Sequence, residues 1–109
     1  MSIFVLFLAA LMEAGGDAVI RRGLQASGGL RALWFAAGAA VLFAYGYTVN
    51  RPPWKFGELL GLYVVFFFAV AQAISMVTGE IPARPLFYAG GCLIIAGGLL
   101  IAWSMQAAP

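Results

Sequence analysis

The stretch IFVLFLAALMEAGGDAVI, residues 3–20, decides the fold of this chain. Apart from Glu13 and Asp17 its residues are apolar or small, and its length is close to the ~20 residues that a helix needs to cross a bilayer. Three stretches of the same kind follow at residues 32–49, 59–78 and 86–105. The sequence therefore predicts an all-α integral membrane protein, a single domain over residues 1–109 built as a bundle of four transmembrane helices.

The composition of the chain agrees with this prediction. Of its 109 residues, 64% are hydrophobic, 9% are charged and none is histidine. A soluble domain of this size would need far more charged residues to cover its surface. We therefore expect a multi-pass protein that contacts membrane lipid over most of its surface.

The connections between the predicted helices carry all six basic residues. If the helices run up and down, one side of the membrane holds Arg21, Arg22, Arg31 and Arg84, and the other holds Arg51 and Lys55. The positive-inside rule then favours both termini outside the cytoplasm. A bias of four against two is modest, so insertion in both orientations stays open.

Glu13 is the most unusual residue of the first predicted helix. At ~1.5 Å per residue it lies about 18 Å from the start of the helix, near the middle of a ~30 Å hydrocarbon core. An ionised, unpaired carboxyl group is costly at this depth, and a proton, a bound cation or a water-filled cavity relieves the cost. Glu13, Asp17 and Arg21 are spaced four residues apart and share one stripe of the helix. The two acids are suited to exchanging protons for a cation; the alternative is that Asp17 pairs with Arg21 and only seats the helix end.

Three polar side chains in the other predicted helices are candidates for the same site. Tyr45 and Tyr63 each bring a hydroxyl group into an apolar environment, where a hydrogen bond to Glu13 would satisfy it. Core packing without that bond is the alternative. Gln72 either faces a substrate cavity or bonds to a neighbouring helix.

The last predicted helix contains two pairs of glycines spaced seven residues apart, Gly90 with Gly97 and Gly91 with Gly98. Each pair lies close to one stripe of the helix. Small residues let helix backbones approach closely, and this close fit drives helix association in membranes. We predict that these four glycines form the interface of a homodimer; packing within one chain is the alternative.

These features resemble a known family of bacterial membrane proteins. A chain of this length with a glutamate halfway through its first helix, LAALMEAGGDAVIRRG, is similar to the small multidrug resistance transporters. The last helix, GGCLIIAGGL, has the G-x-x-L-I-x-A-G pattern of that family. The segment NRPPWKFGELLGLYVV looks more like the YnfA-like branch, although Glu58 stands where that branch usually has arginine.

The resemblance implies an antiparallel homodimer in a bacterial inner membrane. In such a dimer the two copies of Glu13 bind protons and a cationic substrate in turn. By position, Tyr63 and Phe66 match the aromatic contacts of the family, with Phe66 standing where tryptophan is usual.

Three functions are therefore considered. The first is a proton-coupled exporter of small or lipophilic organic cations. The second is a lipid-linked flippase subunit of the drug/metabolite transporter superfamily, in which Arg21, Arg22 and Arg31 would grip a phosphate. The third is an accessory membrane subunit that transports nothing.

Because the sequence has no histidine, phosphate-binding loop or set of metal ligands, we expect neither an enzyme, nor a metal or other cofactor. The net charge of +2 is spread over the connections, so we expect no nucleic-acid partner.

Overall fold

A computed structural model describes residues 2–107 of the chain, and this part is helical without strands. Its helices are α1 (Ser2–Gln25), α2 (Gly28–Val49), α3 (Phe56–Thr78) and α4 (Pro85–Ala107). All four are long and apolar enough to cross a membrane. The predicted fold class, an all-α membrane protein with four transmembrane helices, is therefore confirmed.

The helices are longer than the apolar stretches that predict them. α1 continues from residue 20 to Gln25, and α2 begins at Gly28 rather than at residue 32. Backbone hydrogen bonding does not end where side chains become polar, and arginine and glutamine are good helix formers. Arg21 and Arg22 consequently lie inside the last turns of α1 and not in a loop.

The chain divides into two compact units, Met1–Pro52 and Pro53–Pro109. In each unit the described residues form a hairpin of two helices, α1 with α2 and α3 with α4. The single domain predicted for residues 1–109 stays a prediction.

Glycines set the distance between α1 and α2. A Cβ atom on Gly23 would lie 2.7 Å from the Phe35 ring, and one on Gly16 would lie 2.8 Å from a Leu42 methyl group. On the facing helix, Gly38 approaches Ile20 in the same way. Because these glycines carry no side chain, the two backbones pack closely. The contacts run down the hairpin in a single antiparallel register.

Arg31 closes the turn between these two helices. Its Nε donates hydrogen bonds to the carbonyls of Ala26 and Gly23 at 2.9 and 3.2 Å, and its Nη2 donates one to Leu24 at 3.0 Å. The last carbonyls of a helix have no partner within the helix, and they carry partial negative charge. The guanidinium therefore satisfies the end of α1 and ties it to the start of α2.

We expect Gly38→Ala to destabilise the α1–α2 hairpin by about 1–3 kcal/mol, the usual cost of overpacking. The added Cβ would lie 2.6 Å from Cδ1 of Ile20 and 3.3 Å from the carbonyl oxygen of Gly16. The free energy of unfolding in mixed detergent micelles measures this change. Gly46→Ala in the same helix is the matched control, since a Cβ there meets nothing within 4 Å and alanine favours the helix by up to about 1 kcal/mol. Equal stability of the two variants would contradict the close approach at Gly38.

The α3–α4 hairpin is packed by the same principle. Gly91 faces the Phe68 ring, where an added Cβ would lie 2.8 Å from Cζ, and Gly98 faces Val65. In α3, a Cβ on Gly61 would lie 3.0 Å from Cδ1 of Ile101 in α4. The second unit is thus also a hairpin whose helices are in contact at glycines.

Candidate functional site

Glu13 lies halfway along α1, inside a segment long and apolar enough to cross a membrane. Its side chain is half-buried. Apolar residues on the turns around it are buried, namely Leu6, Ala9, Ala10 and Ala14. Glu13 therefore lies next to the buried, apolar side of α1, where a polar partner relieves the cost of a charge.

That partner is Tyr45 of α2. The Tyr45 hydroxyl donates a hydrogen bond to the Glu13 carboxylate, and the charge of Asp17 acts on the same hydroxyl. From the sequence, Tyr45 could either donate a hydrogen bond to Glu13 or pack in the core without it. The hydrogen bond is present in the structure. The reason is the register of the hairpin, in which the contact of Gly16 with Leu42 places Tyr45, three residues later, opposite Glu13.

Asp17 lies one turn beyond Glu13 on α1 and is exposed. Glu13, Asp17 and Tyr45 thus form one polar cluster on the α1–α2 hairpin. This cluster contains two groups that can carry negative charge and one hydroxyl group. It can bind a proton or a cation, and its hydroxyl can orient the carboxylate that does so. The pairing of Asp17 with Arg21 stays a prediction.

The remaining predicted site residues lie on α3, in the second unit. Tyr63 is buried, with 4% of its surface exposed, and its ring lies 6.3 Å from that of Phe67. Phe66 and Gln72 are half-buried. Gln72 follows Tyr63 by nine residues, or two and a half turns, so the two side chains leave opposite sides of the helix. One stripe of α3 therefore cannot present both.

The four glycines predicted for a dimer interface fall into two groups. Gly91 and Gly98 pack against α3 of the same chain, which is the alternative that the sequence left open. A Cβ on Gly90 or Gly97 would meet nothing within 4 Å. That a second copy covers these two positions stays a prediction.

Sequence reasoning missed two residues that position the cluster. Gly38 allows the close approach of α2, and Arg31 fixes the turn. The available signal for Gly38 was a glycine in the middle of an apolar helix, which often marks a close contact. Nothing in the sequence distinguishes Arg31 from the other arginines at the membrane boundary.

The chain is similar over most of its length to membrane proteins from three bacteria. The UPF0060 membrane protein of Kineococcus radiotolerans is 33% identical over 100 residues, which cover 90% of this chain and 86% of the relative. That of Rhodococcus jostii is 32% identical over 102 residues, covering 92% and 90%. That of Streptomyces coelicolor is 31% identical over 98 residues, covering 89% and 86%. No family model matches the chain, and no solved structure matches it.

Proposed function

We propose that this chain is a proton-coupled exporter of small or lipophilic organic cations. The chain belongs to the UPF0060 family of membrane proteins. This family forms the YnfA-like branch of the small multidrug resistance and drug/metabolite transporter superfamily. The observation that carries the proposal is the half-buried Glu13 in the middle of a membrane-spanning helix, hydrogen-bonded to Tyr45. An ionisable residue inside a membrane-spanning segment is costly, and such residues usually have a function. The chain works in the inner membrane of a bacterium, without a cofactor and without enzymatic activity.

The proposed cycle uses one group for two ligands. The Glu13 carboxylate binds a cation from the cytoplasmic side, and after the site reopens outward a proton displaces the cation. The protonated, neutral form then returns, because a neutral carboxyl is far less costly to move through a dry site than an ionised one. The proton then leaves to the cytoplasm, and the carboxylate is ready for the next cation. Since proton and cation compete for the same carboxylate, the proton gradient drives export.

A second copy of the chain completes this proposed transport path. A homodimer, parallel or antiparallel, would bring two copies of Glu13 to one cavity. The open positions Gly90 and Gly97 on α4 are compatible with such a contact.

The flippase alternative is less well supported by the side chains that it would need. Arg31 has its Nε and Nη2 bound to carbonyls at the end of α1. Arg22 lies over the Trp34 ring, with Cζ 5.6 Å from the ring centroid. A phosphate would have to displace the carbonyl contacts of Arg31 before that guanidinium could bind it, and it would share Arg22 with the Trp34 ring.

Transport by the purified protein in liposomes tests the proposal. Proton flux across the liposome membrane is recorded while quaternary ammonium ions and guanidinium-type ions are added on one side. We expect flux that depends on the added cation and on the protein. Absence of flux with every cation, from protein that is folded by circular dichroism, would contradict the exporter and favour a lipid substrate or a partner subunit.

We expect Tyr45→Phe to raise the KM for the cation by about tenfold, because a hydrogen bond to a charged group contributes about 1.5–3 kcal/mol. Without the hydroxyl, the Glu13 carboxylate is no longer held in one orientation. The matched control is Tyr47→Phe, because Tyr47 is exposed and its ring lies 5.8 Å from Arg51. An unchanged KM in Tyr45→Phe would show that the hydrogen bond has no part in cation binding.

A further inference from the structure

Hydrogen bonds join the connection between α3 and α4 to the helix at each of its ends. Gly79 ends α3 in the left-handed conformation at φ +81°, and the N–H of Glu80 donates a hydrogen bond to the Ser75 carbonyl at 3.0 Å, as in common glycine-terminated helix ends. At the other end the Tyr88 hydroxyl, in the first turn of α4, donates a hydrogen bond to the Pro82 carbonyl. The connection is therefore tied back to both helices.

This connection and the first turn of α4 form an open groove of about 500 Å³. It is lined by Pro82, Ala83, Arg84, Leu86 and Phe87. Phe87 is anchored, because its ring packs on that of Phe68 in α3 with the centroids 5.9 Å apart. The walls of the groove are apolar, and its one charged side chain is Arg84.

Arg84 differs from other arginines of the chain. Arg22 and Arg51 lie over aromatic rings at 5.6 and 5.8 Å, and Arg31 binds backbone carbonyls. The Arg84 side chain is exposed, and among the described side chains and backbone groups its guanidinium has no hydrogen bond, ion pair or ring contact. It also immediately precedes Pro85, the first residue of α4, where the helix dipole places partial positive charge. The free guanidinium and the helix end both favour an anion.

The position of the groove identifies the source of that anion. The segment Pro85–Gln106 is long and apolar enough to cross a membrane, so its first turn lies where the hydrocarbon core meets the lipid headgroups. A guanidinium binds phosphate through paired hydrogen bonds. We propose that this groove binds a phospholipid with an anionic headgroup, its phosphate on Arg84 and its first methylene groups along Leu86 and Phe87. This binding does not depend on the proposed transport function.

Native mass spectrometry of the full-length protein in detergent micelles tests the proposal. The protein is titrated with phosphatidylglycerol and phosphatidylcholine of the same acyl composition. Both lipids have a phosphate, but the positive charge of choline offsets it in phosphatidylcholine, whereas phosphatidylglycerol keeps a net negative charge. We therefore expect the wild type to prefer phosphatidylglycerol by about tenfold. Arg84→Gln should lose this preference. Lys55→Gln, which removes one exposed positive charge from the connection between α2 and α3, is the matched control and should keep it.

Two further variants keep the test decisive if Arg84→Gln folds poorly. Arg84→Lys retains the charge and should retain a preference for phosphatidylglycerol. Leu86→Glu places a carboxylate beside the phosphate at a position that is 82% exposed, and it should abolish the preference.

Three results would overturn the proposal. Equal binding of both lipids by the wild type would exclude selection of the headgroup. Equal losses in Arg84→Gln and Lys55→Gln would indicate diffuse attraction between a basic protein and anionic lipid. Displacement of the lipid by inorganic phosphate or glycerol phosphate would show that the groove takes a free anion.

Discussion

Replacing Glu13 with glutamine is expected to abolish cation-driven proton flux in reconstituted liposomes. Glutamine has nearly the same shape as glutamate, and its carbonyl oxygen can still accept the hydrogen bond from Tyr45. It can neither bind nor release a proton, and it carries no negative charge for a cation. We expect a loss of about a hundredfold or more, the range typical of removing a side chain that transfers a proton. The measurement compares flux from equal amounts of folded wild type and variant.

Glu58→Gln is the matched control for this experiment. Glu58 is exposed in the first turn of α3, where its charge interacts with the helix dipole but not with the middle of a membrane-spanning segment. We expect this variant to transport like the wild type. Wild-type flux in Glu13→Gln would refute the role of Glu13, and equal loss in both variants would point to a general effect of lost negative charge.

Replacing Gly98 with alanine is expected to destabilise the α3–α4 hairpin by about 3 kcal/mol, at the upper end of the usual cost of overpacking. The added Cβ would fall on a Val65 methyl group and lie 3.1 Å from Cβ of Val65. A valine side chain has one rotatable bond and little freedom to move aside, so α3 and α4 must separate. The free energy of unfolding in mixed micelles, followed by the helical circular dichroism signal, measures the change.

The neighbouring Gly97→Ala is the control, because it makes the same chemical change one residue away. A Cβ at Gly97 meets nothing within 4 Å, so we expect unchanged or slightly higher stability, by up to about 1 kcal/mol. Dimer content, measured by crosslinking in the same micelles, should fall in Gly97→Ala if a second copy packs on this face. Greater destabilisation by Gly97→Ala than by Gly98→Ala would contradict the observed orientation of α4.

Much of the fold could be predicted because it depends on local composition. The apolar stretches of residues 59–78 and 86–105 correspond to α3 and α4 with ends that differ by only a few residues. The apolar pattern predicts the start of α2 at residue 32, later than the observed Gly28, because Gly28, Gly29 and Arg31 are residues typical of a loop. Gly28 takes a positive φ of 61° at the turn itself, and Arg31, in the first turn of α2, donates hydrogen bonds to the carbonyls that end α1.

The candidate site could be predicted only in part. A carboxyl group amid apolar residues is visible in any sequence, so Glu13 could be identified as unusual. Its hydrogen bond with Tyr45 depends on two residues 32 positions apart meeting across a hairpin. That meeting requires a particular register, and helical periodicity within α1 or α2 contains no information about it.

The sequence by itself determined that this chain has four membrane-spanning helices, because the cost of exposing backbone polar groups to lipid forces each long apolar stretch to be helical. It also determined that a carboxyl group lies halfway along the first of them. Only the tertiary structure decided which helix faces share a contact. Gly91 and Gly98 turn toward α3 while Gly90 and Gly97 do not, although both pairs have the same spacing. The physical reason is that van der Waals fit between two surfaces selects the contact face, and that fit depends on both helices at once.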